Sequence, residues 1–486
     1  MKRFAKYILK CILFAGIVAG LLFAVNGKMM PVYTYRNSNW PTTSTFNQFY
    51  RMEKDSVDVL FFGSSFAVNA FNPQVIYDET GLRTYSLASE QQSPFISYYW
   101  LREALKYQKP QAVILETRYL FHRESNTPVN MNESFLRKSI EPMKFSSVKR
   151  ELVSTLCGMD QNQNSWSYYF TNLEYHTRWK ELTWKELLSD DARHAELKGY
   201  GPLFVTNTDH FAPVIPEETD ITIPMEPLMQ EYLGKMEELC AENGIRLILV
   251  TVPSSDMHIA MHDELTSYCE EHGLDYYDYS EQTLFDTCGW DLTVENPVDH
   301  MNYLAALRMS GIIGDLLKDR YHIEPVQDQQ WEETRSYGAM IGEKASLSGI
   351  KDIDEYRNAL SQGDYVLFVS LDEASDKFDD LLKTIGISQH SDRLLAVIHD
   401  QEIIAFADGA GGSGGGTMTE YDLEWEMKQD EEGTSIILNG SSFARKKTGL
   451  HITVYDPQLN KVIDEVCFSG QNGHMTAVRD LDFMNE

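Results

Sequence analysis

The chain has 486 residues, of which 43% are hydrophobic and 24% charged, so it can bury one large core or two ordinary ones. Its formal net charge of −31 argues against nucleic acid as a partner, because a phosphate backbone would be repelled. Acidity of this kind also keeps an exported protein soluble. The six cysteines show no CxxC spacing, so neither a disulfide scaffold nor a metal cluster is indicated.

Residues 1–30 are first basic and then apolar, which predicts a transmembrane anchor. Four Lys and Arg residues precede the uncharged run 11–25, and with 7–10 this run reaches the ~17–25 residues that span a bilayer. Positive charges before the span predict a cytoplasmic amino terminus, so we expect a single-pass protein of the cell membrane with its bulk outside. The alternative is a cleaved signal peptide.

A polar and aromatic segment, 31–56, follows and is interpreted as a linker. Strand and helix patterns then alternate, beginning with a strand at 57–62, a helix at 97–107 and a buried strand at 110–116. A second block repeats the alternation over 225–244, 245–253, 258–273, 274–280 and 303–321. Such an alternation predicts an α/β domain at 57–325 built on a doubly wound parallel sheet.

Two regions depart from this pattern. Residues 122–224 are dense in aromatic side chains and are expected to form a large insertion over the sheet. Residues 335–486 contain short strand-like runs and turn residues, so we predict a separate domain rich in β structure. Within it, "GAGGSGGG" reads as a flexible hairpin or linker, and "NGSSF" at 439–443 shows that a Gly-Ser-Ser string alone is weak support for a catalytic site.

The stretch "VDVLFFGSSFAVNAFNP" places Ser65 just after the first predicted strand. Ligand sites in doubly wound sheets lie at the carboxyl ends of the strands. "VENPVDHMNYLAALRMSG" places His300, with Asp299 beside it, in the loop before the closing helix. A serine becomes a nucleophile when a base takes its proton, so Ser65 and His300 are the candidate pair. Alternatively, Ser65 is a small turn residue, His300 a helix-capping loop residue and Asp299 an acid that favours the helix dipole.

These two stretches resemble the first and last sequence blocks of SGNH/GDSL hydrolases over about residues 55–320. They are most similar to the membrane-anchored, DltD-like branch, in which the front block often reads Gly-Ser-Ser-His and is followed by Asn-Pro or Asp-Pro. Here Phe66 stands where that branch has its histidine, and Asn72-Pro73 match. The resemblance implies an SGNH-type, flavodoxin-like sheet, Ser65 as nucleophile, His300 as base, and an ester substrate or an acyl group moved to or from a surface polymer. It implies no metal and no organic cofactor.

The acid that orients the histidine departs from the family pattern. In the family this acid commonly lies three residues before the histidine, where this chain has Pro297. Asp299, Glu295 and Asn296 are the remaining candidates, and we name Asp299 as the best of the three. Adjacent side chains on an extended segment point apart, so the geometry of Asp299 relative to His300 is the weak element of this interpretation.

The family's Gly-x-Asn-Asp block is also missing. We therefore expect the oxyanion hole to use the backbone N–H of Ser65 and the loop "SLASEQQS", with Ser89 and Gln92 as candidates. Glu116 and Arg118, which follow the second strand, are candidate substrate-contacting residues, or else form a plain surface ion pair.

In the insertion, His176 and Arg178 are candidates for recognising an anionic substrate, although a buried structural role is the alternative. In the C-terminal region, "GDYVLFVSLDEASDKFDDLLKTIGI" and "TGLHITVYDPQLNKVIDEVCF" resemble two segments of the interleukin-like EMT-inducer domain in permuted order. That resemblance implies carbohydrate or partner recognition, and a generic β-sandwich spacer is the alternative.

The leading hypothesis is an extracytoplasmic SGNH-type serine esterase or O-acyltransferase that acts on a cell-envelope glycan or a teichoic-acid-like acylated polymer. A membrane acyl-transfer protein is a further possible partner. The rival hypotheses are an envelope scaffold that kept the fold while its site decayed, and a glycan-binding surface protein that works through the C-terminal domain.

Overall fold

The computed structural model describes residues 2–30, 42–121, 125–180, 182, 195–204, 222–409, 411–421, 423–430, 433–445, 449–471 and 474–479. The chain begins with helix α1, Lys2–Met29. Within α1, the 19 residues of Lys6–Ala24 have a mean hydropathy of 2.2, and none of this window is buried against other described residues. The helix is therefore long and apolar enough to cross a membrane. A signal sequence has the same character, so the single-pass topology stays a prediction.

A five-stranded, entirely parallel sheet forms the centre of the α/β unit, as predicted. Its strands are β1 (Val59–Phe62), β2 (Thr84–Ser86), β3 (Ala112–Glu116), β4 (Arg246–Thr251) and β5 (Asp275–Asp278). They are arranged in the order β2-β1-β3-β4-β5, and neighbouring strands pair in parallel. This order reverses direction between β1 and β3, which is the switch point where doubly wound sheets bind ligands.

Helices cover both faces of the sheet because successive strand residues point to opposite sides. The helices in chain order are α2 (Thr42–Phe49), α3 (Ser65–Ala70), α4 (Pro73–Thr80), α5 (Pro94–Ala104), α6 (Glu133–Ile140), α7 (Ser147–Met159), α8 (Asn172–Tyr175), α9 (Pro227–Glu242), α10 (Ile259–His272), α11 (Gln282–Thr287) and α12 (Tyr303–Asp315). On one face, Leu60 and Phe62 pack with a cluster that includes residues of α2, α5, α6, α7, α9 and α10. On the other, Val59 and Phe61 pack with α3, α4 and α12.

The expected linker at 31–56 needs correction. Residues 31–41 lie outside the described residues, but α2 packs into the core beside the sheet, with Phe46 and Phe49 fully buried. The Phe46 ring stacks on Trp100 with the centroids 4.2 Å apart. The second half of the predicted linker is therefore part of the α/β unit.

The described parts of the insertion at 122–224 cover both faces of the sheet. Helices α6 and α7 pack on the face that carries Leu60. The stretch 195–204 belongs to the opposite face, because Leu197, Tyr200 and Phe204 are in the cluster of Val59, and at the sheet edge the Ser86 amide of β2 donates to the Lys198 carbonyl at 3.0 Å. The rest of the predicted insertion lies outside the described residues, namely 122–124, 181, 183–194 and 205–221.

The C-terminal region contains two antiparallel sheets, in agreement with the predicted richness in β structure. Their strands are β6 (Val366–Leu371), β7 (Leu394–His399), β8 (Glu402–Asp408), β9 (Ser413–Met418), β10 (Leu423–Asp430), β11 (Gly433–Leu438), β12 (Ser441–Arg445), β13 (Leu450–Asp456), β14 (Lys461–Gln471) and β15 (His474–Val478). One sheet has the order β12-β11-β10-β9 and the other β15-β14-β13-β6-β7-β8. Helices α13 (Gln329–Ala345), α14 (Ile353–Leu360) and α15 (Asp379–Thr384) accompany them.

The two units are not separated at residue 335, as the sequence suggested, because this position lies inside α13. One continuous apolar cluster contains Phe61 of β1 and Ile76 of α4 together with Ile452 of β13 and Phe468 of β14. The six-stranded C-terminal sheet therefore shares a core with the α/β unit, whereas the buried residues of β10 and β11 belong to a separate cluster with β6 and β7.

Trp331 of α13 tests this shared core. Its fully buried ring stacks on Tyr77 of α4 at 5.4 Å between centroids, and the Lys198 ammonium lies 4.3 Å from the ring centroid. We expect Trp331→Ala to cost about 3–5 kcal/mol of unfolding free energy. Hydrogen exchange should show that β1 and β6 lose protection together. The exposed Gln329→Ala on the same helix is the control, and a loss of protection in β1 with β6 unchanged in Trp331→Ala would contradict the shared core.

Candidate active site

The turn after β1 is built around a glycine that no other residue could replace without strain. Gly63 has φ +139°, a conformation that side chains rarely adopt. A Cβ at this position would lie 2.6 Å from the Cβ of Glu116. Ser64 then caps α3, because its Oγ accepts the amide of Phe66 at 3.3 Å. The turn thus delivers Ser65 as the first residue of α3, at the carboxyl edge of the sheet.

The structure brings the two predicted reactive side chains together. The Oγ of Ser65 lies 2.8 Å from Nε2 of His300, which is hydrogen-bonding distance. Ser65 follows β1, and His300 lies in the loop that precedes α12, whose first turn is capped by Asn302. Two loops that are 235 positions apart in sequence therefore meet at one edge of the sheet.

The surroundings of His300 favour its neutral form. The imidazole is half-buried, and its ring meets the Phe66 ring edge to face at 4.8 Å between centroids. Burial lowers the pKa of His300 below the value of about 6.5 usual for histidine. The negative charge of Asp299 opposes this shift, and the positive charge of Arg118 adds to it. At neutral pH the imidazole can therefore accept a proton at Nε2.

Asp299 does not point its carboxylate along the histidine ring as the sequence interpretation required. Its backbone is left-handed, with φ +56°, and its amide donates to the Pro253 carbonyl at 2.9 Å. One carboxylate oxygen accepts from Ser254 Oγ at 3.1 Å and the Ser255 amide at 3.0 Å, and the other accepts from Ser255 Oγ at 2.7 Å. Asp299 therefore ties the loop of His300 to the loop after β4, and it acts on the imidazole through its charge.

The two other candidate acids have different partners. The Glu295 carboxylate pairs with Arg308, at 2.6 and 2.7 Å from two guanidinium nitrogens. The side-chain oxygen of Asn296 accepts the Val298 amide at 3.2 Å. Both residues shape the loop that carries His300.

Glu116 holds the serine turn in place and does not form the plain surface ion pair that was the alternative. Its carboxylate is buried, and one oxygen accepts from the Ser64 amide at 3.2 Å and from Ser64 Oγ at 2.7 Å. The other oxygen accepts the Arg118 amide at 2.7 Å. Burial raises the pKa of the Glu116 carboxyl, although these hydrogen bonds oppose the shift.

Arg118 is the charged group that reaches the site. Its guanidinium lies 4.2 Å from the centroid of the Phe66 ring. The same phenylalanine ring contacts the imidazole of His300. It donates to Ser254 Oγ at 2.9 Å and pairs with Asp256. The guanidinium therefore links the end of β3 to the loop after β4.

The prediction that Ser89 and Gln92 supply oxyanion donors is not supported by their contacts. Both side-chain N–H groups of Gln92 are used, one by the Leu87 carbonyl at 2.9 Å and one by Ser97 Oγ at 3.1 Å. The Ser89 hydroxyl is buried and bonds to Gln92 and to Ser139, and its amide donates to the Gly63 carbonyl at 3.2 Å. The two residues therefore stabilise the loop beside the serine turn.

His176 and Arg178 belong to a different part of the molecule. They lie in a 3₁₀ turn, His176–Lys180, directly after α8, and this turn packs against α1. The ring of His176 is exposed, with its Nδ1 3.3 Å from the Leu173 carbonyl. Their role in recognising an anionic substrate stays a prediction, and the exposed ring of His176 does not fit the alternative of a buried structural role.

A cavity of about 630 Å³ opens at the carboxyl ends of β3 and β4. Arg118, Glu116 and Asp256 line one part of it. The apolar part of the lining consists of Phe121, Ile223, Pro224, Val252, Met257 and Met261. Ser65 and His300 do not line this cavity, and its connection to them is Arg118, which lines it and also contacts the Phe66 ring.

Sequence reasoning missed Ser64, Ser254 and Ser255, which support the site. Ser254 and Ser255 directly follow β4, at the same edge of the sheet as Ser65, and that position was the available signal. Within the described ranges, no group of His, Cys, Asp and Glu side chains is arranged to hold a metal ion. No known family model matches the chain, and no curated protein is significantly similar to it.

Gly63→Ala should destabilise the protein because of both its backbone conformation and the clash with Glu116. We expect a cost of about 2–4 kcal/mol in unfolding free energy. Gly244→Ala is the matched control: Gly244 also has a positive φ, of +67°, but no atom lies within 4 Å of its added Cβ. Chemical denaturation of both variants separates the two costs, and equal losses would show that the Glu116 contact is unimportant.

Proposed function

We propose that the chain is a serine-dependent esterase or O-acyltransferase of the SGNH type, working outside the cytoplasm on an acylated cell-envelope polymer. The observation that carries this proposal is the 2.8 Å contact between Ser65 Oγ and His300 Nε2 at the switch point of the sheet. A nucleophile and a neutral base within hydrogen-bonding reach are the first requirement of acyl transfer through a serine.

In the proposed reaction, Ser65 Oγ attacks the acyl carbonyl carbon while His300 Nε2 takes the hydroxyl proton. The tetrahedral intermediate collapses, and the alcohol oxygen of the polymer leaves with the proton from His300. Water, or a second hydroxyl in a transfer reaction, then gives its proton to His300 and attacks the acyl carbon. Ser65 leaves and regains its proton from His300.

The backbone amide of Ser65 is the proposed donor to the oxyanion. It lies in the first turn of α3, where amides have no intrahelical acceptor, whereas the next amide, that of Phe66, bonds to Ser64 Oγ. The proposed chemistry needs only acid–base and nucleophilic groups that the chain itself provides.

The cavity lined by Glu116 and Arg118 suits a substrate that has both an apolar and a polar part. Its apolar side suits an acyl group, and the side lined by Arg118 and Asp256 suits the hydroxyl-bearing part of a glycan or of a teichoic-acid-like polymer. A membrane anchor in α1 would keep the chain near a substrate at the cell surface. It would also keep the chain near a membrane protein that supplies or receives the acyl group.

A non-catalytic envelope scaffold is the second candidate function, and two observations favour it. The carboxylate of Asp299 is directed to Ser254 and Ser255, and the amide donors of Gln92 are used within its own loop. Both are departures from a complete hydrolase site, so the two candidates are separated by measuring turnover.

The full chain in detergent should hydrolyse small aryl acetates, and Ser65→Ala should lower the rate by on the order of 10³-fold or more. His300→Ala should be about as damaging, because the two groups act as a unit. Ser442→Ala is the matched control, since Ser442 ends the second Gly-Ser-Ser string and is exposed on β12.

A fluorophosphonate probe provides an independent readout of the same site, because it forms a covalent bond with an activated serine. It should label the wild-type chain and the Ser442→Ala chain but not Ser65→Ala. Equal hydrolysis rates and no labelling in wild type and Ser65→Ala would support the scaffold.

The pH profile should report the titration of His300. Hydrolysis needs the neutral imidazole, so kcat/KM should rise with pH through a pKa below the usual histidine value and then level off. Asp299→Asn removes a charge that raises this pKa, so the acid limb should move to lower pH. Arg118→Gln removes a charge that lowers it, so the limb should move to higher pH. Shifts of the same sign in both variants would contradict this assignment.

A further inference from the structure

The insertion segment around 165–180 is attached to the end of the apolar helix α1. The side-chain amide of Asn26 donates to the Tyr169 carbonyl at 3.1 Å, and that of Asn172 donates to the Leu22 carbonyl at 2.9 Å. The amide of Asn172 also donates to Asn26 Oδ1 at 3.3 Å, and Thr171 Oγ1 bonds to the Asn26 carbonyl. Several polar contacts thus fix this segment against the last turns of α1.

These contacts set the level of the segment relative to a membrane that α1 would cross. The apolar window of α1 ends at Ala24, and Asn26 lies only two residues, or ~3 Å along the helix axis, beyond it. Leu22 lies inside the window. Side chains beside Tyr169 and Asn172 therefore lie near the depth where the hydrocarbon core meets the lipid headgroups.

A set of large apolar side chains is exposed in this place, and we call it the aromatic rim. It consists of Phe145 (77% exposed), Trp166 (64%), Phe170 (44%), Leu173 (53%) and Trp179 (66%). The rings of Trp166 and Phe170 stack at 6.1 Å, and Phe145 contacts Tyr169 at 5.6 Å, between centroids. Among described residues outside α1, about half of the exposed large apolar side chains belong to the rim.

Basic side chains accompany the rim in a protein that is otherwise strongly acidic. Lys180 is exposed, with its ammonium 5.8 Å from the Trp179 ring centroid, and Lys144 precedes Phe145, although its ammonium lies 4.2 Å from the centroid of the Tyr50 ring. Aromatic rings with neighbouring lysines are typical of the membrane interface, where rings enter the headgroup layer and ammonium groups meet lipid phosphates. A net charge of −31 would otherwise keep the rest of the surface away from anionic lipids.

We infer that the aromatic rim inserts into the headgroup layer of the membrane that α1 crosses, and that it holds the α/β unit on the lipid surface in a fixed orientation. The occupant of this exposed surface is lipid, because the rim is continuous with the end of the membrane-spanning helix. This inference rests on the membrane-spanning role of α1 and does not depend on the proposed esterase activity.

The test is quenching of tryptophan fluorescence by lipids brominated near the top of their acyl chains. The full chain is reconstituted alone into bilayers of phosphatidylcholine with an anionic phospholipid. Replacing Trp166 and Trp179 together by phenylalanine should reduce the fraction of fluorescence that these lipids quench. The control is Trp425→Phe, at a buried position of β10, which removes only unquenched emission and so should not lower the quenched fraction.

A gain of signal completes the test. In the doubly substituted chain, Phe170→Trp should restore quenching, because this position lies in the rim between the two removed tryptophans. Circular dichroism checks that each variant is folded. If brominated lipids quench neither the native tryptophans nor the new one, the rim faces water or a partner protein, and the inference is wrong.

Discussion

The buried carboxylate of Glu116 receives three hydrogen bonds, of which two join the end of β3 to the turn after β1. Two come from Ser64 and one from the Arg118 amide, so a single side chain positions both the residue before the nucleophile and the guanidinium beside it. The Gly63 backbone packs against the same side chain and leaves no room for a Cβ. If this contact were absent, the turn that carries Ser65 would keep only the bond from the Ser89 amide to the Gly63 carbonyl and the cap of α3 by Ser64.

A second set of hydrogen bonds positions the loop that carries His300. Asp299 joins the loop before α12 to Pro253, Ser254 and Ser255, and Arg118 reaches Ser254 from the other side. Three strand ends, those of β1, β3 and β4, are thereby connected by polar contacts, of which only those of Ser255 are exposed. Satisfied networks of this kind are rigid, so the serine and the imidazole are held in register before any substrate arrives.

The sequence predicted those features that depend on local pattern and on sheet topology. Apolar runs located four of the five parallel strands, and the carboxyl-end rule brought Ser65 to His300. The sequence did not predict β2, which has only three residues. Nor did it predict where the Asp299 carboxylate points, which depends on the left-handed φ of that residue. The glycine string 409–416, interpreted as a flexible hairpin or linker, contains the first four residues of β9, where Gly414 and Gly416 give space to the Trp425 ring. The position of His176 and Arg178 depends on how a distant segment docks on α1, and no local pattern carries that information.

The apolar cluster that runs from the parallel sheet into the six-stranded C-terminal sheet has a consequence for inheritance. A module can be gained, lost or exchanged between proteins when its surface is already complete, so that neither half is left with an open core. Here the two parts bury each other's apolar residues, from Phe61 in β1 to Phe468 in β14. Recombination near Tyr321 would leave both products with uncovered cores, so the two parts must change together, residue against residue, as one unit of selection.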